Sequence, residues 1–156
     1  MGSLASALVP KQERCIRPPY VRDNTAFEDE CSGCEGRCAT VCEEQIIVIR
    51  EDKTPCLFFS ESGCTYCDAC ALACEYGVLH VDFKAPVAAT FEIDVVACMS
   101  WHHVMCFSCK DPCLDDAIIF DGLFCPEIDM SKCTSCGFCV RVCPTNAIKV
   151  EVNAYE

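Results

Sequence analysis

The sequence predicts an α+β chain of two tandem modules, each made of duplicated loop–helix–strand units. Three observations lead there. Cysteine fills 19 of 156 positions, far more than a chain that folds by apolar packing alone would use. The cysteines fall into four tight clusters of similar spacing, which marks an internal repeat. A short run rich in β-branched residues follows each cluster, as a strand requires.

The hydrophobic fraction reaches 52% only with cysteine counted in it. The conventional core is thin, so cross-links or metal must replace part of it. A secreted disulfide scaffold usually carries an even number of cysteines at irregular spacings; here the number is odd and the spacings repeat. The first nine residues contain no positive n-region, and Ser6 interrupts their apolar stretch, so no cleaved leader is expected. The cysteines therefore read as reduced thiols that hold metal in the cytoplasm. The longest apolar run, Ala69 to Cys74, has six residues, against the roughly 20 that span a bilayer. No membrane span is expected. A net charge of −12 makes nucleic acid a poor partner for the body of the chain.

Residues 1–26 read as an extended basic N-terminal arm, in which Lys11, Arg14, Arg17 and Arg22 outnumber the acids. Pro18-Pro19 would hold it extended, either across the chain's own acidic body or as a docking arm for a partner. Residues 27–85 form the first module and residues 91–152 the second, with Lys84 to Thr90, including Pro86, as linker. The first cluster is Cys31-x2-Cys34-x3-Cys38-x3-Cys42, and the second is Cys64-x2-Cys67-x2-Cys70-x3-Cys74. The third is Cys98-x7-Cys106-x2-Cys109-x3-Cys113, and the fourth is Cys133-x2-Cys136-x2-Cys139-x3-Cys143, followed by Pro144. The predicted strands lie in Gln45–Ile49, Gly77–Val81, Ala117–Phe120 and Ala147–Val150. The pairs Val81 with Phe83 and Ile148 with Val150 alternate as a strand with one covered face does. Thr145 and Asn146 suit a tight turn.

C-x2-C-x2-C-x3-C is the bacterial-type ferredoxin arrangement for a [4Fe–4S] cluster. Two-residue gaps wrap the chain closely round a cubane, so three thiolates reach three irons from one loop, and the loop amides face the sulfurs. The fourth cysteine begins a helical turn that leads away and ligates the other cluster of the pair. The modules thus read as 2[4Fe–4S] ferredoxin-like, with four [4Fe–4S] clusters and crossed ligand sets. Cluster I takes Cys31, Cys34, Cys38 and Cys74; cluster II takes Cys64, Cys67, Cys70 and Cys42. Cluster III takes Cys98, Cys106, Cys109 and Cys143; cluster IV takes Cys133, Cys136, Cys139 and Cys113. The second and fourth motifs match the spacing without exception. The first has one extra residue between Cys34 and Cys38, and the third has an excursion from Met99 to Met105.

Zinc also accepts four thiolates, but its sites usually join two C-x2-C knuckles across a dozen or more residues. Cys15, Cys56 and Cys125 remain over as ordinary reduced thiols. His102 and His103, beside Trp101 in the third excursion, read as exposed loop residues. No Ser–His–Asp set, Gly-rich phosphate loop or paired-carboxylate signature stands out, so no catalytic site is expected. Sixteen thiolates outweigh the positive charge of four oxidised cores, so a loaded chain is more negative than −12. Such a body favours low potentials and a redox partner with basic patches.

Four such motifs in this order, the extended third among them, with Ile16-Arg17-Pro18-Pro19-Tyr20 ahead of the first, resemble the NapF-type ferredoxin-like iron–sulfur accessory proteins of periplasmic nitrate reductase. The resemblance covers roughly residues 14 to 152. It implies a cytoplasmic protein that meets the molybdenum-containing catalytic subunit before export, and that assembles or reduces that subunit's own [4Fe–4S] cluster. The sixteen cysteines above map onto the family's four motifs. The extra residue in the first motif, and the lack of Pro after Cys42, Cys74 and Cys113, depart from its pattern. A polyferredoxin electron carrier, or an electron-transfer subunit of another oxidoreductase, is the alternative reading.

Overall fold

One turn, made four times, organises the chain. Gln45, Gly77, Asp116 and Asn146 each stand three residues beyond the last cysteine of a cluster. They adopt φ of +54°, +66°, +48° and +52°, and each donates its N–H to the carbonyl of that cysteine at 3.0–3.4 Å. Gly, Asn and Asp enter this left-handed region readily, as the expected turn at Asn146 requires. The two residues after each turn are buried: Ile46 and Ile47, Val78 and Leu79, Ala117 and Ile118, Ala147 and Ile148. These pairs thread the four cysteine loops onto one core. A computed structural model describes residues 15–153 of the chain in this arrangement.

Short elements lie between the loops. The helices are α1 (Ala26–Glu30), α2 (Arg37–Thr40), α3 (Ala69–Leu72) and α4 (Phe138–Val142). The strands are β1 (Ile47–Ile49), β2 (Pro55–Leu57), β3 (Ala89–Ile93), β4 (Ile118–Asp121), β5 (Phe124–Ile128) and β6 (Ile148–Val152). They make three two-stranded antiparallel sheets, β1 with β2, β3 with β6 and β4 with β5. The β3–β6 ladder runs from Ala89 opposite Val152 to Ile93 opposite Ile148, so it encloses the β4–β5 hairpin. Around residues 21–79 an isolated antiparallel bridge, Val21 to Leu79, encloses the β1–β2 hairpin in the same way.

The structure differs from the sequence expectations at three places. The second β-rich run, Gly77–Val81, makes only that bridge, and Val81–Phe83 is a 3-10 turn rather than strand. Its partner segment contains Pro18 and Pro19, which have no N–H to give a ladder. The 3-10 turn is capped by His80 Nδ1, which accepts the Asp82 N–H at 3.2 Å. The second difference is in the expected linker: β3 begins at Ala89 and takes up Ala89 and Thr90, because β6 supplies a full ladder there. The third concerns the arm.

Residues 1–14 of the expected arm lie outside the described residues; from Cys15 onward the segment is woven into the fold. Ile16 accepts the Leu57 N–H at 2.7 Å, Tyr20 accepts that of His80 at 2.9 Å, and Pro19 accepts that of Ala85 at 2.9 Å. Arg17 donates to the Pro55 carbonyl at 2.8 Å and lies 4.3 Å over the Phe27 ring. Tyr20 and Phe27 are fully buried. One apolar cluster joins Tyr20, Phe27, Ile46, Leu79, Phe91, Ile118 and Ile148, so both halves of the chain share a core.

Candidate cluster-binding sites

Three of the four cysteine loops, the first, second and fourth, are shaped by a left-handed residue placed two positions ahead of the third cysteine. Gly36 (φ +75°), Asp68 (φ +64°) and Gly137 (φ +85°) precede α2, α3 and α4 and present Cys38, Cys70 and Cys139 on the first turn. This register shows how the first motif absorbs its extra residue. The spacing from Gly36 to Cys38 is kept, and the insertion falls between Cys34 and Gly36. The third motif uses its excursion differently. Met99–His102 form a 3-10 turn, Trp101 Nε1 donates to the Pro126 carbonyl at 3.1 Å, and His102 Nε2 contacts the Val96 carbonyl at 2.9 Å. Both histidines are exposed.

Backbone amides point at the sulfurs. Gly36, Tyr66 and Ser135 donate to the Sγ of Cys34, Cys64 and Cys133 at 3.4 Å, always from two residues downstream. Leu79 donates to Cys74 Sγ at 3.4 Å and Ala147 to Cys143 Sγ at 3.2 Å. Such donors stabilise thiolate and cluster charge. The first three follow from the motif spacing; the last two depend on how the chain returns after its turn.

The third cysteine of each motif has other cysteines around it. Burial pushes the Cys38 thiol up to about 11, and Cys34, Cys31 and Cys74 add to the shift. Burial pushes Cys70 up to about 12, with Cys64, Cys67 and Cys42 contributing. Cys109 rises to about 11 through burial and the nearby Cys143, Cys98 and Cys106. Cys139 rises to about 12 through burial and the nearby Cys136, Cys133 and Cys113. One apolar cavity is lined by Cys42, Cys64, Cys67 and Cys70 together with Pro18 and Tyr20. Another is lined by Cys98, Cys106, Cys109 and Cys143. Among the described residues, no three Cys, His, Asp or Glu side chains converge on a single-ion site. Clustered cysteines with amides aimed at five of their sulfurs are suited to a polynuclear cationic core bound by thiolates. The residues present fit a [4Fe–4S] cluster.

The cysteine loops also approach one another. Cys38 of the first is near enough to Cys70 of the second to raise its thiol. Cys64 and Cys136 are likewise neighbours, and the Cys64 N–H donates to the Cys136 carbonyl at 2.6 Å. Cys109 acts on Cys139. The four cysteine loops therefore neighbour one another in the order first, second, fourth, third. At the II–IV junction Tyr66 donates to the Thr134 carbonyl and accepts the Val87 N–H at 3.0 Å, while Ser135 Oγ donates to the Ala89 carbonyl at 2.6 Å. A Cβ at Gly63 would stand 2.6 Å from the Cys136 carbonyl oxygen, so the loops meet backbone to backbone. Sequence reasoning missed this junction, because nothing local marks which loops will meet.

Cysteine loops with amides turned to sulfur, on a small mixed α/β core, define a ferredoxin-type iron–sulfur protein. The comparisons agree. The 4Fe-4S binding domain family matches residues 126–149. The ferredoxin-type protein NapF of Escherichia coli (strain K12) is 32% identical over 145 residues, covering 90% of this chain and 87% of that protein. The ferredoxin-type protein NapF of Haemophilus influenzae is 34% identical over 137 residues, covering 85% and 77%. The methylamine utilization ferredoxin-type protein MauM of Methylorubrum extorquens is 25% identical over 162 residues, covering 90% and 73%. The chain belongs to the NapF family of ferredoxin-type proteins, iron–sulfur proteins of electron transport. Among the described residues no helix is long and apolar enough to cross a membrane.

Proposed function

We propose that the chain carries four [4Fe–4S] clusters in two tandem ferredoxin-like modules, over residues 27–85 and 91–152, and supports maturation of the nitrate reductase catalytic subunit in the cytoplasm. The segment from Cys15 to Arg22 packs along the first module and bridges to it at Val21 and Leu79. Bound clusters would supply one-electron transfer at low potential. Cys31, Cys34, Cys38 and Cys74 would hold the first, and Cys64, Cys67, Cys70 and Cys42 the second. Cys98, Cys106, Cys109 and Cys143 would hold the third, and Cys133, Cys136, Cys139 and Cys113 the fourth. The redox part is supported by the approach of the cysteine loops to one another, with the Cys64 N–H on the Cys136 carbonyl at 2.6 Å, and with Cys38 beside Cys70 and Cys109 beside Cys139 closely enough to raise their thiols. The partner rests on membership in the NapF family over nine-tenths of the chain. A net charge of −12 favours a partner surface with basic patches.

Two experiments test the reading. In the crossed scheme, Cys74→Ser abolishes the cluster of the first motif and spares that of the second, as resolved by EPR of the reduced protein; loss of the second instead would refute the crossing. An anaerobic binding comparison with the catalytic subunit, with and without its own cluster, tests the partner. Tighter binding to the cluster-free form is expected of a maturation factor. Preference for the finished enzyme would favour a plain polyferredoxin carrier, the second reading, which the similarity to MauM supports.

A further inference from the structure

Two of the three cysteines outside the motifs stand together. Cys56, in the middle of β2, is buried, and Cys15, at the start of the described chain, is half-buried beside it. Cys15 Sγ donates to the Pro55 carbonyl at 3.4 Å, which sets its sulfur beside the residue that precedes Cys56, and the two thiols are close enough to act on each other's ionisation. The backbone holds them in place, since the Leu57 N–H donates to the Ile16 carbonyl at 2.7 Å. Two arginines flank the pair. Arg17 donates to the Pro55 carbonyl at 2.8 Å, and the Arg50 side chain hydrogen-bonds Cys15. Thiols on neighbouring backbone segments are the arrangement from which a disulfide of roughly 2 Å forms.

We propose that Cys15 and Cys56 form a thiol–disulfide couple, separate from the cluster cysteines, that reacts with small-molecule disulfides of the glutathione class. The Cys15 thiolate attacks one sulfur of the small disulfide, whose S–S bond breaks and releases one thiolate. Cys56 then gives its proton to solvent and attacks the Cys15 sulfur of the mixed disulfide, and the second thiolate leaves. In sum, two protein thiols and one small disulfide give the Cys15–Cys56 bond and two small thiols, with two electrons passed to the small molecule. The roles are unequal. The neighbouring Cys56 thiol lowers Cys15 to about 7 against its burial, with help from Arg17 and Arg50. Its neighbour Cys15 and its burial hold Cys56 up as a thiol. A low-lying attacking thiol beside a protonated resolving thiol is the arrangement such exchange needs. The bond would fasten the N-terminal segment covalently to β2.

The test uses the full-length, cluster-loaded protein. It is treated anaerobically with oxidised glutathione, its free thiols are alkylated, and it is digested without reduction for mass spectrometry. The expected result is loss of both alkylatable thiols and a peptide linked through Cys15 and Cys56, with the visible cluster absorption unchanged. Cys56→Ser is expected to stop at one glutathione on Cys15, and Cys15→Ser to give neither adduct nor link. The absorption shows that each variant still folds around its clusters. Both thiols still alkylatable, an adduct that persists on wild-type Cys15 without a link, or links only among motif cysteines would overturn the proposal.

Discussion

The two halves of the molecule repeat one turn and differ in how they close it. Around residues 89–152, β3 and β6 pair through five registered positions. Around residues 21–79 the corresponding closure is a single bridge, Val21 to Leu79. The second half is closed by a continuous ladder, whereas the first joins scattered backbone bonds to the Ile16, Pro19 and Tyr20 carbonyls with side chains: Tyr20, Phe27, and Arg17 over the Phe27 ring. Pro18 and Pro19 explain the exchange, because a chain without N–H groups cannot ladder and must be held by what its neighbours bury. A ladder spreads stability over many bonds; an aromatic anchor concentrates it in one residue.

That contrast predicts where the molecule breaks. Phe27→Ala is expected to cost about 3–5 kcal/mol, as for other buried aromatics. In a denaturant titration that follows cluster bleaching, it is expected to release the first half's iron before the second's. Simultaneous loss from both halves would mean that the shared core, not the closure, governs stability.

The junction between the halves comes next. Gly63→Ala would drive a Cβ into the Cys136 carbonyl and the Phe138 nitrogen, both at 2.6 Å. Overpacking of that kind costs about 1–3 kcal/mol or more, read as a lower unfolding midpoint. Tyr66→Phe removes the hydroxyl that bonds Thr134 and Val87 across the junction. It is expected to cost about 1–3 kcal/mol, because a buried amide loses its partner. Hydrogen exchange should rise at Val87 and leave the β4–β5 hairpin unchanged.

The smallest effect separates the two hairpins by pH. Asp52 accepts from the Thr54 N–H at 2.9 Å and from its hydroxyl at 2.6 Å, and these bonds, the hydroxyl first, hold its carboxyl below the usual range. The stabilisation is therefore present above the ordinary carboxylate pKa and is lost as pH falls through the folded value. Solvent keeps it under about 1 kcal/mol. Asp52→Asn should flatten the acid limb of stability for the β1–β2 hairpin. The β4–β5 hairpin, which turns through Gly122 at φ +61°, should keep its own.

Much of this was legible in the sequence because cysteine spacing is local. The four motifs, the turn at Asn146 and the strands after Cys42, Cys113 and Cys143 follow from residues within a few positions of one another. Tyr66 and Ser135 as amide donors could have been read from the same spacing. The strand expected at Gly77–Val81 was not realised, because its partner is a distant proline pair that the local pattern does not contain. The sequence left open, for the same reason, whether Cys15 to Arg22 lies across the chain's own body or serves as a docking arm. Its charge and prolines describe an arm, while its burial depends on residues 55–57 and 78–80. The meeting of Gly63 with Cys136 is likewise a fact of three dimensions.

The most direct test of the account is the iron, acid-labile sulfide and zinc content of the anaerobically reconstituted chain. The account predicts roughly 16 iron and as many sulfide per chain, with zinc absent. Zinc without sulfide, or about half that iron, would contradict it.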